Sequence, residues 1–517
     1  MPYLRAACRA TAVAAAPILL STVAVFAAPS GWLALDGSIR STTGVVGDWA
    51  NSGIGGPAGC SAGAVDVGGS GGLFNCGAPG AGSAPPSPPT SSPAAAADAS
   101  IIAAVFIVDP ISSDTTACGG GDPTVIAGGG KNGDAINSYS LTTQSVPAKD
   151  DLGNVYAVSH TRADNGHPEL YFGAERLVNN GDSHIDFEFL QDRITITSPC
   201  SGSFVGHRTE GDLLATVDFT LGGTLAGVTV YQWHCAADPG PQPQDGTVCD
   251  PTGVPHYQSI GTPPSISFLV NPATVPCGGW VCRDKITGNS TQVAANDLME
   301  GGIDLQGLPF TGCFNTFLPH TRTAQSFSST LKDFTGPAGL PSCRDPNSSS
   351  TSSGAGGSLA PGSTVTDAAT LTSPSGPLTP TGSLSFFLCG PAAVTAAGCP
   401  APNGAQVGAP KILSGGGATS DPTAGTAGLG RYCWRTEYAP DAQSQGVYLT
   451  ATHTNSTTEC FTAAAAPAPT PTPTSNTPGL PNAGAPTRPS PSRLPLILTG
   501  LAVLAWLTAT TWVWRRR

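Results

Sequence analysis

Residues 183–197 have the sequence SHIDFEFLQDRITIT, and the spacing of their apolar side chains decides the fold. Ile185, Phe187 and Phe189 alternate with polar residues over the first half of this stretch. A period of two places successive side chains on opposite faces of a β-strand. The stretch therefore predicts a strand with one face in a core and the other face, which includes Asp186, in solvent.

Segments of the same kind recur on both sides of this stretch. They occupy residues 100–109, 153–161, 168–178, 212–221 and 227–235. Each is rich in β-branched or aromatic residues and lies between Gly, Asp and Asn turns. Many short strands with intervening turns predict a mainly β fold, with a large antiparallel β-sandwich or jelly-roll-like head at residues 29–345. A low-complexity insertion at residues 77–97 interrupts the head.

A second, smaller strand-rich unit is predicted at residues 362–461. The Ser- and Gly-rich residues 346–361 that precede it have the composition of a linker. In the segment RYCWRTEY, residues 431–438, the three aromatic side chains share one face of a strand. They are expected to point into a core, which leaves Cys433 on the outer face. The smaller unit is therefore predicted to be a second β-sandwich.

Both ends of the chain have the composition of export signals. Residues 1–28 combine two early arginines, an apolar run and small residues, as in a secretory signal peptide, with a retained signal anchor as the alternative. Residues 494–514 carry no charge and, at about 1.5 Å per residue, are long enough to cross a bilayer as one C-terminal transmembrane helix. The arginines at 515–517 are expected on the cytoplasmic side. A buried core helix is the alternative, but it needs surrounding protein to cover it.

Residues 462–493, between the smaller unit and the apolar segment, are rich in Pro and Thr. This composition favours extended polyproline II and predicts a semi-rigid stalk. The stalk contains a short motif composed of Leu480, Pro481, Asn482, Ala483 and Gly484.

The chain has 15 cysteines, of which Cys8 lies in the predicted signal peptide. An even number then remains in an exported protein, which predicts disulfide bonds. The expected local pairs are Cys60–Cys76, Cys389–Cys399 and Cys433–Cys460. A zinc site is the alternative for Cys277 and Cys282, but no second Cys or His pair has matching spacing.

The head is strongly acidic, with 29 Asp and Glu against 12 Lys and Arg over residues 31–350. Repulsion of phosphates by this charge argues against nucleic acid as a partner. Asp and Asn concentrate in turns beside the strands, and oxygen-rich loops can bind Ca²⁺. Asp150, Asp151 and Asp182 are the candidate ligands, with the ordinary role of these residues in turns as the alternative. No other cofactor is expected.

Signals of catalysis are few. Asp186 and Glu188 lie on one strand face, roughly 6–7 Å apart, a separation that could serve two glycosidase carboxylates. A solvated strand face is the alternative. His160, His167 and His184 could join a triad assembled only in three dimensions. No zinc-protease, nucleophile-elbow or P-loop motif is present, so the chain is not predicted to be an enzyme.

Three regions resemble parts of bacterial cell-surface proteins. The segments PTGSLSFFLCG, GRYCWRTEY and STTECF resemble immunoglobulin-like repeats of such proteins. The segments LYFGAERLVNNGDSHIDFEFLQ and GDLLATVDFTLGG resemble an uncharacterised actinobacterial-type surface domain. The C-terminal end resembles a cell-wall sorting signal, in which a sortase cleaves a Leu-Pro-x-Thr-Gly motif and joins the chain to the wall. Leu480, Pro481 and Gly484 match this motif, whereas Ala483 replaces the Thr.

These resemblances imply an exported bacterial protein at the cell surface. Its expected partners are the membrane, through the C-terminal helix, and possible partners are a sortase and the cell wall. Anchoring by the helix alone is the alternative to wall linkage. The layout predicts a single-pass, adhesin-like protein whose head binds an extracellular glycan or protein. The alternatives are a structural envelope protein without a specific ligand and an anchored polysaccharide hydrolase.

Overall fold

A computed structural model describes most of the chain between residues 29 and 465. The described residues are 29, 31–40, 47–50, 72–74, 100–116, 118–220, 223–234, 256–277, 282–285, 290–308, 310, 312–374 and 377–465. They belong to one compact unit, residues 1–465. The structure is mainly β, as predicted, and the described residues contain no α-helix. Among them, no helix has the length and apolarity needed to cross a bilayer. The predicted span at residues 494–514 and the predicted signal peptide at residues 1–28 lie outside the described residues.

The head is built from short strands joined by turns. In chain order these strands are β1 (Asp48–Ala50), β2 (Gly72–Phe74), β3 (Ile101–Val108), β4 (Thr115–Thr116), β5 (Gly119–Gly120), β6 (Asp122–Ile126), β7 (Leu141–Gln144), β8 (Leu152–Thr161), β9 (Pro168–Arg176), β10 (Ser183–Leu190), β11 (Thr195–Ile196), β12 (Phe204–Val205), β13 (Leu213–Thr220), β14 (Thr224–His234), β15 (His256–Gly261), β16 (Ile266–Val270), β17 (Val275–Pro276), β18 (Gln292–Val293), β19 (Leu298–Asp304), β20 (Thr316–Arg322), β21 (Leu331–Phe334) and β22 (Ala338–Gly339). In the described part of the head, two single-turn 3₁₀ helices occupy Ile136–Ser138 and Leu305–Gly307.

Two antiparallel sheets form the body of the head. The larger has nine strands, in the order β15-β14-β13-β10-β20-β21-β6-β7, with β22 beside β20. The smaller has five strands, in the order β16-β19-β9-β8-β3. Phe172 of the smaller sheet packs against Phe187 of the larger, with ring centroids 4.8 Å apart. Their inner faces share one apolar core, and the antiparallel sheets agree with the prediction of a mainly β head.

The smaller sheet is buried on its second face as well. Residues from the N-terminal part of the head, including Trp49 and Leu33, form a separate apolar cluster with Tyr156 and Tyr171 there. The rings of Trp49 and Tyr156 lie 4.6 Å apart. This double burial explains why every residue of β8 and β9 is buried.

The alternation in residues 183–197 predicts the core face correctly and the opposite face wrongly. Ile185, Phe187 and Phe189 lie in the core between the sheets. Asp186 and Glu188, expected in solvent, are 0% and 1% exposed. They are covered because arginine side chains from neighbouring segments pair with them, an arrangement that strand periodicity does not reveal.

The smaller sandwich follows the head. Its strands are β23 (Asn347–Ser352), β24 (Ser358–Leu359), β25 (Asp367–Thr372), β26 (Gly382–Cys389), β27 (Ala405–Gln406), β28 (Lys411–Ile412), β29 (Gly417–Thr419), β30 (Gly430–Pro440), β31 (Ala451–His453) and β32 (Cys460–Ala463). They form a three-stranded and a seven-stranded sheet that share one core. Tyr432, Trp434 and Tyr438 point into this core, as predicted.

The prediction of a linker at residues 346–361 is corrected by the structure. Asn347–Ser352 is strand β23, which pairs with β25, and Ser358–Leu359 is strand β24, which pairs with β32. Burial of the Ser350 and Ser352 side chains holds β23 to the sandwich. A Ser-rich composition is typical of linkers, but short polar side chains can also occupy an edge strand. Strand β32 likewise extends to Ala463, two residues beyond the predicted end of the unit.

Five disulfide bonds join described cysteines. They are Cys118–Cys200, Cys277–Cys282, Cys313–Cys343, Cys389–Cys399 and Cys433–Cys460. The last two pairs confirm the prediction, whereas Cys60 and Cys76 lie outside the described residues. The bond between Cys277 and Cys282 contradicts the alternative of a zinc site at these two cysteines. Cys433 does point away from the aromatic core, but it is fully buried in a small cluster of four half-cystines.

Candidate functional site

Four buried carboxylates meet where the two sheets of the head come together. Asp109 follows β3, Asp122 begins β6, Asp151 precedes β8 and Asp333 lies in β21. One oxygen of each lies within 4.8 Å of the others. Strands β3 and β8 belong to the five-stranded sheet, whereas β6 and β21 belong to the nine-stranded sheet. The four residues, called the aspartate cluster below, therefore connect both layers of the sandwich.

Hydrogen bonds fix the orientation of these carboxylates. Asp333 Oδ2 accepts from the Leu152 amide at 2.7 Å, and Asp122 Oδ1 accepts from the Thr124 amide at 2.8 Å. Asp151 Oδ2 accepts from the Ser112 hydroxyl at 3.2 Å. The Thr124 hydroxyl also lies 3.4 Å from Asp109 Oδ1.

Among the described residues, no donor group hydrogen-bonds to the second oxygen of each carboxylate. These buried atoms are Asp109 Oδ2, Asp122 Oδ2, Asp151 Oδ1 and Asp333 Oδ1. Asp333 instead lies within hydrogen-bonding reach of the Asp109 and Asp122 carboxyl groups. The four residues are at most 1% exposed. A buried carboxylate oxygen that receives no hydrogen bond from a donor group is costly, so the cluster has the chemistry of a site for a cation or for shared protons.

Burial dominates the electrostatics of the cluster. Loss of solvent, followed by repulsion from the neighbouring carboxylates, raises the pKa of Asp109, Asp151 and Asp333 well above the ordinary range. Burial also raises the pKa of Asp122, to about 6. The carboxylates therefore resist ionising together unless positive charge is supplied.

The predicted calcium ligands are only partly brought together. Asp151 belongs to the cluster, but Asp150 instead forms an ion pair with Lys149 at 2.9 Å. Asp182 is exposed, and its backbone carbonyl accepts from the same lysine. Those two residues are therefore removed from the candidate ligand set. Sequence reasoning missed Asp109, Asp122 and Asp333, although each acid lies in or at the end of an apolar strand segment.

The acidic pair considered for hydrolysis lies inside salt bridges. Asp186 Oδ2 and Arg322 Nε are 2.6 Å apart, and so are Glu188 Oε1 and Arg208 Nε. All four side chains are at most 1% exposed. A glycosidase acid and nucleophile must reach the substrate, and this pair faces protein instead.

The three histidines singled out by sequence do not converge. His160 is buried beside Glu169, and burial lowers its pKa to about 3. His184 pairs with Asp218 at 2.7 Å. His167 instead faces a surface groove, and burial lowers its pKa as well.

This groove lies between the head and a turn of the smaller sandwich. It encloses about 850 Å³, including space open to solvent. Its lining residues are His167, Pro168, Leu305, Gln306, Leu308, Phe310, Ala442, Gln443, Gln445 and Gly446. None of them is Asp, Glu, Lys or Arg, although the head as a whole is acidic. Amide groups beside apolar carbon suit a neutral ligand better than an ion.

The sorting-like motif at residues 480–484 and the predicted stalk beyond residue 465 lie outside the described residues. So does the low-complexity insertion at residues 77–97.

Comparison with known proteins assigns no family to this arrangement. No family model matches the chain, and no curated protein matches it. A solved structure of E. coli alpha-2-macroglobulin in its native conformation aligns with 63% of this chain and 23% of that chain. The aligned residues are 13% identical and the TM-score is 0.16, a value that carries no argument about fold or function.

Proposed function

We propose that the chain is an exported, C-terminally anchored bacterial surface protein whose head binds an extracellular glycan or protein. The five disulfide bonds are consistent with an oxidising extracellular compartment. Cell-surface display also accords with the predicted export signal at residues 1–28 and the predicted span at residues 494–514. Two sandwiches, each with internal disulfide bonds, would precede a stalk that presents the head away from the membrane.

The observation that carries the binding role is the neutral groove. Gln306 and Gln443 are exposed on its two sides, one from the head and one from the smaller sandwich. Phe310 and Leu308 supply apolar surface between them. Amide donors and acceptors next to an apolar face match the hydroxyl groups and carbon faces of a neutral glycan. A short peptide offers the same chemistry through its backbone.

A retention screen with the purified full chain tests this function. Neutral polysaccharides and extracellular matrix proteins serve as probes. Replacing both Gln306 and Gln443 by Ala should weaken binding to the retained probe about tenfold, because each lost hydrogen bond contributes about 0.5–1.5 kcal/mol. Gln258→Ala on β15 is the matched control, since this exposed amide lies outside the groove.

Two outcomes would change the assignment. Retention that the double substitution leaves unaltered would move the binding surface elsewhere on the chain. Uniform lack of retention would favour a structural role in the envelope.

Localisation has a separate test. Protease treatment of intact cells should remove the head if it is displayed outside. In a separate sample of untreated cells, detergent should extract the protein if the helix alone holds it. A wall hydrolase would be required if the Ala483–Gly484 bond is cleaved and the chain is joined to the wall. Recovery of reduced protein from the cytosol would contradict both forms of anchoring.

A further inference from the structure

No cationic side chain among the described residues neutralises the four carboxyl groups of the aspartate cluster. Asp109, Asp122, Asp151 and Asp333 form no salt bridge with a described lysine, arginine or histidine. Arg283 lowers the pKa of Asp151 through its charge, but its guanidinium pairs with Asp114. Two other buried acids of the head differ in this respect, since Asp186 and Glu188 each have an arginine partner.

We propose that Asp109, Asp122, Asp151 and Asp333 form a Ca²⁺ site that joins the two sheets of the head. The proposal rests on two observations: four carboxylate oxygens lie within 4.8 Å of one another, and each buried side chain has one oxygen that receives no hydrogen bond from a donor group of the described residues. The site goes beyond the proposed surface function, because a cation that holds the sandwich together is independent of what the groove binds.

The ligand atoms select the class of metal. They are all carboxylate oxygens, without Cys or His, which favours a hard cation over zinc or copper. Ca²⁺ lies about 2.3–2.6 Å from its oxygen ligands, so oxygens on opposite sides of the ion are about 4.6–5.2 Å apart. The 4.8 Å limit within the cluster lies in this range.

Burial distinguishes Ca²⁺ from Mg²⁺. Mg²⁺ gives up its water ligands reluctantly and usually keeps several of them. The four side chains are at most 1% exposed, which leaves little access for such waters. Carboxylates bind Ca²⁺ through one or both oxygens, so four of them can fill a coordination shell of six to eight.

The position of the cluster gives the ion a structural task. Asp109 and Asp151 flank β3 and β8, which are paired in the five-stranded sheet. Asp122 and Asp333 lie on β6 and β21, which are paired in the nine-stranded sheet. An ion bound by all four carboxylates would link the two sheets at this point, where repulsion between the carboxylates would otherwise push the sheets apart. It would also fix the turn around Ser112, whose amide and hydroxyl donate to Asp151.

The test is a Ca²⁺ titration of the purified full chain after removal of metal with a chelator. One Ca²⁺ should bind per chain, and the melting temperature of the head should rise by about 5 °C or more, reversibly on chelation. Mg²⁺ at the same concentration should produce a smaller rise. Asp333→Asn keeps an acceptor for the Leu152 amide but should weaken Ca²⁺ binding at least about tenfold.

The substitution has opposite expected effects in the two conditions. In chelator, Asp333→Asn should melt above the wild-type protein, because the amide is neutral without taking up a proton and adds nothing to the mutual repulsion of the carboxylates; in Ca²⁺ it should melt below it. The control is Asp182→Asn, which should bind Ca²⁺ as the wild type does, because Asp182 is exposed and outside the cluster.

A wild-type chain that binds no Ca²⁺ at millimolar concentration, and melts at the same temperature with and without chelator, would overturn the proposal in favour of shared protons. This result would not affect the surface function, which the retention screen tests separately.

Discussion

Buried acidic residues in the head are stabilised in different ways. Glu188 faces Arg208, so its charge is balanced. Glu300 forms no ion pair with a described residue: its oxygens accept from the Gly37 amide at 2.7 Å and from Trp49 Nε1 at 2.6 Å. Burial raises the pKa of Glu300 to about 8. This residue therefore remains protonated in the folded protein at a pH where it would ionise in the unfolded chain.

The pH dependence of stability follows from Glu300. Because its pKa is raised on folding, its contribution is complete below about pH 4.5 and is lost as the pH rises through about 8. In chelator, the free energy of unfolding should fall across this window by up to about 1.4 kcal/mol per pH unit from one group, and the melting temperature should fall with it. Glu300→Gln, which mimics the neutral acid, should make the fall shallower in thermal scans between pH 5 and 8.

The fall should not vanish in this variant. Asp212, Asp297 and Asp367, whose pKa values burial raises to about 7, act with the same sign. Asp345→Asn is the control, because it removes an exposed carboxylate outside the buried sites. An identical slope in Glu300→Gln and the wild type would contradict the assignment.

At this same scale, the sequence predicts core residues better than it predicts charged ones. Ile185 and Phe187 could be assigned to the core because the alternating pattern depends only on residues close to them in sequence. Asp109 and Asp333 could not be grouped, because sheet pairing alone brings residues so distant in sequence together. Asp151 was identified through its place in a polar turn, but its ligand partners were not.

Two glycines show how neighbouring strands of the five-stranded sheet fit together. Gly173 on β9 lies opposite Tyr156 on β8, and Gly301 on β19 lies opposite Phe172 on β9. A Cβ on Gly301 would lie 2.5 Å from Phe172 Cζ. One on Gly173 would lie 2.5 Å from Tyr156 Cε2. Each aromatic ring therefore occupies the space that a side chain on the next strand would need.

Gly301→Ala should destabilise the head by about 1–3 kcal/mol, because the added methyl group forces Phe172 out of its packed position. Urea unfolding followed by tryptophan fluorescence would measure this change. Gly227→Ala on β14 is the matched control, since a Cβ there meets nothing within 4 Å. The control should be neutral or slightly stabilising. Equal effects of the two substitutions would disprove the packing argument.

Strand positions were largely accessible from the sequence, but strand partners were not. The segments at residues 153–161, 168–178 and 212–221 overlap β8, β9 and β13 closely. The prediction of a linker at residues 346–361 was wrong for a physical reason. Composition indicates how flexible an isolated segment is. It does not show that the segment will form hydrogen bonds with β25.

On the scale of the whole molecule, disulfide bonds close loops of very different length. Cys118–Cys200 spans a sequence separation of 82 residues, whereas Cys389–Cys399 spans 10. Closing a longer loop removes more entropy from the unfolded chain. Replacing the first pair by Ser should therefore cost about 4.5 kcal/mol, and replacing the second about 2.7 kcal/mol.

Denaturant unfolding of the two double variants tests this order. The Cys389–Cys399 variant serves as the control for loss of a disulfide as such. A larger loss from the shorter loop would show that local packing around the half-cystines, and not loop length, sets their contribution.

The same cross-links determine how the molecule would respond to being pulled. Load entering from the C-terminal direction would pass from Cys460 directly to Cys433, and later from Cys343 to Cys313 and from Cys200 to Cys118. The segment between the two cysteines of each pair would carry no load and could not be extended. Under such a load the residues between Cys118 and Cys200, which include β8, β9 and β10, could not be drawn out lengthwise, and extension would be limited to segments outside the disulfide loops.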